Sequence, residues 1–241
     1  MNKIIFTLLC SLCLSFSLIA QTPEFVNRGG LGYVKFGLGF GSPNDLNDDL
    51  TKTFGQNAAI SGSSYQIGAG GFLLFSKRII VGMEGYGYFH STEEAGPYSA
   101  KLTGGGGELR LGLALWNNTK FLGFPYIGIG FGGNRLEVKN DATEEVLFGE
   151  TTVPEYFEER LRIGYPVLDL GISIIRIPAP DKDGLSIGGH IGFRTALGKD
   201  TWKMDNGDNV VGTNDMGLST FYIKLSIGGG GFFHKKKKKT P

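Results

Sequence analysis

Apolar side chains alternate one by one with glycine or polar residues over much of this chain, the period of a β-strand whose two faces meet different surroundings. Val34, Phe36, Leu38 and Phe40 share one parity, and Tyr33, Lys35, Gly37 and Gly39 share the other. Farther along, Ile79, Val81 and Met83 oppose Glu84, Tyr86 and Tyr88, and Leu109, Leu111, Leu113 and Leu115 oppose Glu108, Arg110 and Gly112. Leu168, Leu170, Ile172 and Ile174 oppose Asp169 and Ser173; Leu185, Ile187, Ile191, Phe193 and Leu197 oppose His190, Gly192 and Arg194. The pattern predicts about eight strands, over roughly 31–41, 63–76, 79–90, 100–115, 121–133, 161–177, 184–197 and 217–233. No helix-period segment of useful length competes, apart from a short turn expected over Pro154 to Arg160.

Several strands end in aromatics of the apolar parity. Tyr65 and Phe75, like Phe121 and Phe131, lie ten residues apart, and Phe221 and Phe233 repeat the even offset. Ten residues at about 3.3 Å each, tilted about 40°, climb roughly 25 Å, the height of the apolar band on a membrane-spanning barrel. With Phe40, Phe89 and Phe193 these residues form a candidate aromatic girdle. Connectors alternate in length: long at 42–62, 91–99, 134–160 and 198–216, short at 76–78, 117–120 and 178–183. The expected fold is therefore all-β, a closed antiparallel up-and-down transmembrane β-barrel with short turns and both termini on the periplasmic side. Periodicity alone does not say which face is inside. A soluble lipocalin-type barrel also alternates, with its apolar side inward around a ligand.

Tyr165 stands opposite the leucines of its strand, so a bulge or register shift is expected near Pro166. Trp116 falls on the wrong parity to complete the girdle on the fourth strand.

Residues 1–20 read as a cleaved secretion signal, with Lys3 followed by an apolar run from Ile4 to Ile19 and cleavage expected after Ala20. The expected organisation is then a short periplasmic segment at 21–30, the barrel at 31–233 and a basic tail at 234–241. Cys10 and Cys13, the only cysteines, leave with the signal, which excludes disulfide, zinc-thiolate and cysteine-nucleophile chemistry from the remainder. The formal charge of +1 falls to 0 without Lys3 and to −5 when the five lysines Lys235 to Lys239 are also set aside, so a mildly acidic body carries a strongly basic tail. No basic stripe of the nucleic-acid kind occurs elsewhere. Glycine, at 40 of 241 residues, falls inside strands, where it marks limited space.

The face that bears glycine also bears Lys35, Glu84, Glu108, Arg110, Asp169, Arg194 and Lys224, with His190 beside them. If this face lines the lumen, both signs meet in a narrow space and must pair. They then form either a salt-bridged filling or the selectivity charges of a narrow pore. His90 with Ser91 is a candidate for lipid chemistry, although no nucleophile, base and orienting group line up in sequence. Asp45, Asn47 and Asp49 resemble the start of a calcium loop, but Leu50 replaces its glycine, so no metal site is expected. The glycine runs 104–107 and 228–231 lack the lysine and hydroxyl of a phosphate loop.

Taken together, these strands, turns and aromatics make the chain resemble a small eight-stranded outer-membrane barrel of the OmpA/OmpX kind. The Ala20–Gln21 junction resembles exported proteins of Bacteroidetes. Ser226, Gly228 and Phe233 resemble the terminal-strand signal for barrel assembly. The resemblance implies location in the outer membrane, contact with its lipids, and insertion by the barrel-assembly machinery. Members of such families serve as anchors, adhesins, narrow pores, transport components and occasionally enzymes. The expectation is a monomeric, non-enzymatic barrel without cofactor, its lumen largely plugged, acting structurally or on an extracellular ligand through acidic loops. A narrow pore and a lipid-modifying enzyme are the alternatives.

Overall fold

The computed structural model describes residues 26–41, 43–54, 60–92, 98–140, 145–148, 151–154, 157–179, 181–198, 202–204 and 219–234. The signal segment, the lysine tail and much of the long connectors lie outside these residues. In chain order the elements are β1 (Val26–Phe40), α1 (Asn44–Phe54), β2 (Ile60–Phe75), β3 (Ile79–Thr92), β4 (Tyr98–Leu113), β5 (Trp116–Asn117) and β6 (Phe121–Asn140). They continue as β7 (Glu145–Phe148), β8 (Thr151–Pro154), β9 (Phe157–Arg176), β10 (Asp183–Ala196), β11 (Lys203–Met204) and β12 (Ser219–His234).

Eight antiparallel staves close on themselves in the order β1, β2, β3, β4, β6, β9, β10, β12 and back to β1. Every stave lies beside its sequence neighbour among the staves, which is an up-and-down barrel. Burial alternates along β10 without interruption through Leu185 to Arg194, odd positions exposed and even positions buried. The apolar parity is the outer one throughout: Phe36, Ile67, Met83, Leu109, Ile129, Leu170, Ile191 and Leu225 are all exposed. This decides the face that periodicity left open.

The interior has two apolar clusters. At the short-turn end, Leu31, Phe72, Ile80, Phe124, Ile175 and Phe232 pack together. At the long-loop end, Leu102, Leu136, Ile163 and Trp202 pack around Leu46 and Leu50 of α1.

Helix α1 corrects the reading of 42–62 as a plain connector. Leu46 and Leu50, at i and i+4, present one apolar edge to the barrel mouth. Asn47 clamps the helix to β2, its Oδ1 accepting from Ile60 N at 2.8 Å and its Nδ2 donating to Ile60 O at 3.1 Å. That pairing occupies the group placed at the centre of the calcium-like run.

Three further expectations are corrected. β1 begins at Val26, so residues 26–30 are strand rather than a preceding segment. Phe157 to Arg160, expected as a helical turn, open β9. The pairing of β6 with β9 runs in unbroken register from Phe121↔Arg176 to Asn140↔Phe157, with no shift at Pro166. Tyr165 simply faces inward. Pro166 is tolerated because β10 pairs with β9 only from Val167 onward, so on that edge no N–H is needed at 166.

The tightest turn joins β2 to β3. Arg78 N donates to Phe75 O at 3.1 Å, and the two central residues, Ser76 and Lys77, have φ of 48° and 73°. Positive φ at both central positions is the type I′ signature that suits hairpin twist. Two non-glycine residues hold it here, braced by Lys77 N donating to Asn27 O and by Asn117 Nδ2 donating to Lys77 O.

Candidate functional site

Six staves send ionisable side chains to the middle of the lumen: Lys35 from β1, Glu84 from β3, Glu108 and Arg110 from β4, Asp169 from β9, His190 and Arg194 from β10, and Lys224 from β12. All eight are buried, Asp169 completely. The other two staves, β2 and β6, face them with Gly68, Gly70, Gly128 and Gly130. A Cβ at Gly128 would come to 3.3 Å from both Arg110 Cγ and Asp169 Cβ, so this glycine is the room into which the network fits.

Arg110 is the hub. It ion-pairs with Glu84, Glu108 and Asp169, its Nε donating to Glu108 Oε1 at 2.6 Å and one terminal nitrogen reaching Asp169 Oδ2 at 2.9 Å. Glu84 and Glu108 stand directly opposite each other on β3 and β4, a pairing of like charges that the guanidinium between them offsets. Lys35 Nζ lies 2.5 Å from Glu84 Oε2, and Lys224 Nζ 3.5 Å from Glu84 Oε1. Arg194 reaches Asp169 at 3.1 Å and Glu108 at 3.5 Å. Three carboxylates are thus threaded between four cations.

Tyrosines complete the cage. Tyr222 donates to Asp169 Oδ1 at 2.7 Å, and its hydroxyl lies 2.5 Å from that of Tyr126. The Arg194 guanidinium lies 3.4 Å from the Tyr86 ring centroid, Arg110 4.5 Å from Tyr126, Lys35 4.5 Å from Tyr33 and Lys224 4.3 Å from Tyr222. A ring face supplies each cation with attraction where hydration is scarce. His190 stands apart chemically, with Ser173 Oγ 2.7 Å from Nδ1 and Ser226 Oγ 2.8 Å from Nε2. A void of about 10 Å³ borders Lys35, Arg110, Tyr126, Ser173 and His190, at the lower limit for one water molecule.

Parity alone groups the ionisable set, and the structure brings all eight residues into one connected space. The cage is not evident from sequence, although Tyr33, Tyr86 and Tyr222 share the parity of the charges. Tyr126 shares the parity of Gly128 and reaches Arg110 across the β4–β6 ladder, whereas only closure of the barrel carries it to Tyr222.

All nine girdle residues are exposed, from 40 % at Phe221 to 75 % at Phe131. Tyr65 stacks on Phe89 with centroids 5.8 Å apart, and Phe40 lies 6.5 Å from Phe221, so on the long-loop rim two pairs of girdle aromatics meet across neighbouring staves. Between its two rims no described residue on the outer face is charged. Beyond the short-turn rim come six exposed cations, Arg28, Lys77, Arg78, Lys120, Arg176 and Lys182, with the exposed Asp181 and Asp183 beside the last.

His90, the other sequence candidate, is buried just past Phe89. Its Nδ1 lies 2.8 Å from the Ser61 carbonyl and its ring stands edge-on to Tyr88. A carbonyl partner requires Nδ1 to carry the proton, so the ring is held by backbone. The side chains of Ser91 and His234, together with Glu93, Glu94 and Asp205 to Asp208, lie outside what the structure describes.

No family model and no curated protein sequence matches this chain. Among solved structures it is similar to Ail, the attachment invasion locus protein of Yersinia pestis, at 8 % identity and a TM-score of 0.49, over 85 % of this chain and 99 % of that one. A major outer membrane protein from Thermus thermophilus aligns at 12 % identity and TM-score 0.48, over 83 % and 98 %. The outer membrane protein OprG from Pseudomonas aeruginosa aligns at 12 % identity and TM-score 0.40, over 88 % and 98 %.

Proposed function

We propose that this chain is an integral barrel of a bacterial outer membrane that conducts no solute and works through its long-loop end. One observation carries the reading: an uncharged apolar belt, rimmed by aromatics and then by cations, surrounds an interior filled by a paired ion network. A belt of this extent on a soluble monomer would leave large side chains in water at about 1.5–3 kcal/mol each, far beyond the apolar patches that monomers ordinarily expose. In a bilayer the same belt faces hydrocarbon and the girdle sits at the headgroups.

Two features support a lumen without flow. The charges at mid-lumen pair with one another, leaving Glu108 Oε2 and Arg194 Nε as the network's atoms without a hydrogen-bond partner among the described residues, and apolar clusters lie above and below them. A surface role is supported by the wall of β4, β6 and β9, which continues past the girdle at Phe131 as far as Asn140. Such a wall is a rigid base for the connectors it carries. His90, held against a backbone carbonyl, offers no activated nucleophile, and we assign it a structural role.

Extraction from membranes only with detergent, and a folded band that shifts on boiling before electrophoresis, test the membrane reading; a protein soluble and monomeric without detergent refutes it. Planar-bilayer recordings test the closed lumen. Silence is expected, whereas discrete openings whose selectivity changes in Arg110→Ala or Glu108→Ala would establish the narrow pore instead.

A further inference from the structure

Above the girdle, on the outer face of the long-loop end, β4, β6, β9 and β11 form a four-stranded wall whose register aligns outward side chains in rows. One row is Lys101, Glu137 and Arg160, where a carboxylate sits between two cations. The row nearer the belt is Thr103, Arg135, Arg162 and Lys203. Here three cations stand on three adjacent strands and no carboxylate occupies a ladder position. Like charges directly opposite, with Cβ atoms about 4.5–5.5 Å apart, repel. Arg162 has contacts of its own within the protein; what the row lacks is an interposed acid. The Arg135 Nε is buried and donates to nothing among the described residues.

Between this row and the belt lies a shelf without side chains. Gly105, Gly133 and Gly164 pair across β4, β6 and β9, all on the outward parity. Next below come Phe131 and Pro166, also paired, and then Ile129 with Leu168. From Phe131 to Arg135 the wall climbs four residues, or roughly 10 Å along the barrel axis. The order of an anionic lipid is matched from bottom to top: hydrocarbon surface, open shelf, cation row.

We propose that this face is a binding site for a phosphate-bearing lipid headgroup of the outer leaflet, its acyl chains against Phe131, Ile129 and Leu168. The headgroup lies on the glycine shelf and its phosphate is held by Arg135, Arg162 and Lys203. Guanidinium forks suit phosphate oxygens, and no carboxylate stands at a ladder position within the row. The proposal rests on the membrane reading above. A soluble sulfated or phosphorylated polyanion would find the same cations but would have no use for the shelf or the belt.

The test is native mass spectrometry of the detergent-purified chain with diphosphoryl lipid A, with the same lipid after phosphatase treatment, and with a heparin oligosaccharide. The unsubstituted protein should retain diphosphoryl lipid A and release the dephosphorylated form. Replacing Arg135→Gln, Arg162→Gln and Lys203→Gln together should weaken retention about tenfold or more, one tenfold step being about 1.4 kcal/mol. Arg78→Gln with Lys120→Gln, at the opposite rim, should leave it unchanged. Gly164→Trp keeps every charge and fills the shelf; it should lose the lipid too, and it stands in if the triple variant fails to show a heat-modifiable fold. Equal retention by the triple variant or by Gly164→Trp, indifference to the phosphates, or binding of heparin without lipid A would each overturn the proposal. A detergent-dependent barrel that retains no lipid A would sink this site alone, whereas a protein soluble without detergent would remove the membrane reading itself.

Discussion

Replacing Arg110 by methionine asks whether the lumen charges act as one unit. The substitution keeps much of the side-chain volume and removes the guanidinium that touches Glu84, Glu108 and Asp169. Glu84 retains Lys35 at 2.5 Å, and Asp169 retains Arg194 at 3.1 Å. Glu108 keeps only the 3.5 Å approach of Arg194, and it faces Glu84 directly across the ladder. Leaving a buried charge without its partner costs about 3–5 kcal/mol. The expected loss is toward the upper end of that range, since one deletion exposes two facing carboxylates to each other. Adding Glu108→Gln to Arg110→Met should recover about 2 kcal/mol, because the pair rather than either residue is the unit. Urea unfolding in detergent micelles, followed by fluorescence of Trp116 and Trp202, measures both variants. A loss below about 1 kcal/mol for Arg110→Met, or strict additivity in the double variant, would mean that solvent reaches these groups and that the network is not dry.

Other consequences can be tested with the same preparation. Gly128→Val places branched carbon where Arg110 and Asp169 already lie 3.3 Å from a bare Cβ, and should cost about 1–3 kcal/mol through overpacking. Leu50→Ala should loosen α1 from the mouth at a cost of about 2–5 kcal/mol and open residues 42–59 to protease, while the barrel band remains heat-modifiable; unchanged cleavage would show that α1 is not held by Leu50. Ser76→Asn with Lys77→Gly supplies the type I′ residues that the tightest turn lacks and should raise stability by about 1 kcal/mol, with refolding rate as the second readout. A lower stability would show that the Lys77 side chain contributes more than the backbone strain costs.

The barrel was legible because parity is a strong signal where one face of a stave is apolar over several consecutive turns of the pleat, as from Leu109 to Leu113 in β4 or Leu185 to Phe193 in β10. The lumen charges were legible for the same reason, seen from the other side. α1 was not, because its evidence is two leucines, Leu46 and Leu50, in a string of Asn and Asp that reads equally well as a solvated loop. The wall above the girdle falls within the expected connector 134–160, although Leu136 and Val138 alternate with Arg135 and Glu137. That alternation begins after the aromatic that seemed to close the strand at Phe131. Pro166 is a different case: a proline inside a strand pattern signals disruption unless its edge asks for no N–H, and here the chain after β10 asks only for the carbonyl, Leu197 N donating to Pro166 O at 2.8 Å. The row of Arg135, Arg162 and Lys203 lies in three separated stretches of sequence, and only the register unites it.

The matched aromatic rims have a consequence for the lipid itself. A single helix meets a bilayer of the wrong thickness by tilting, but eight staves bonded in a ring cannot tilt one at a time. In a bilayer, where the proposed function puts this barrel, the fixed rim-to-rim height, roughly 25 Å by strand geometry, makes the barrel a rigid ruler and the membrane the part that yields. In a thicker bilayer the surrounding annulus must thin, at a fraction of a kcal/mol per Å of mismatch. Two barrels that share one thinned annulus deform less lipid than two apart. Clustering in thick membranes and dispersal in thin ones would follow without any contact between their protein surfaces.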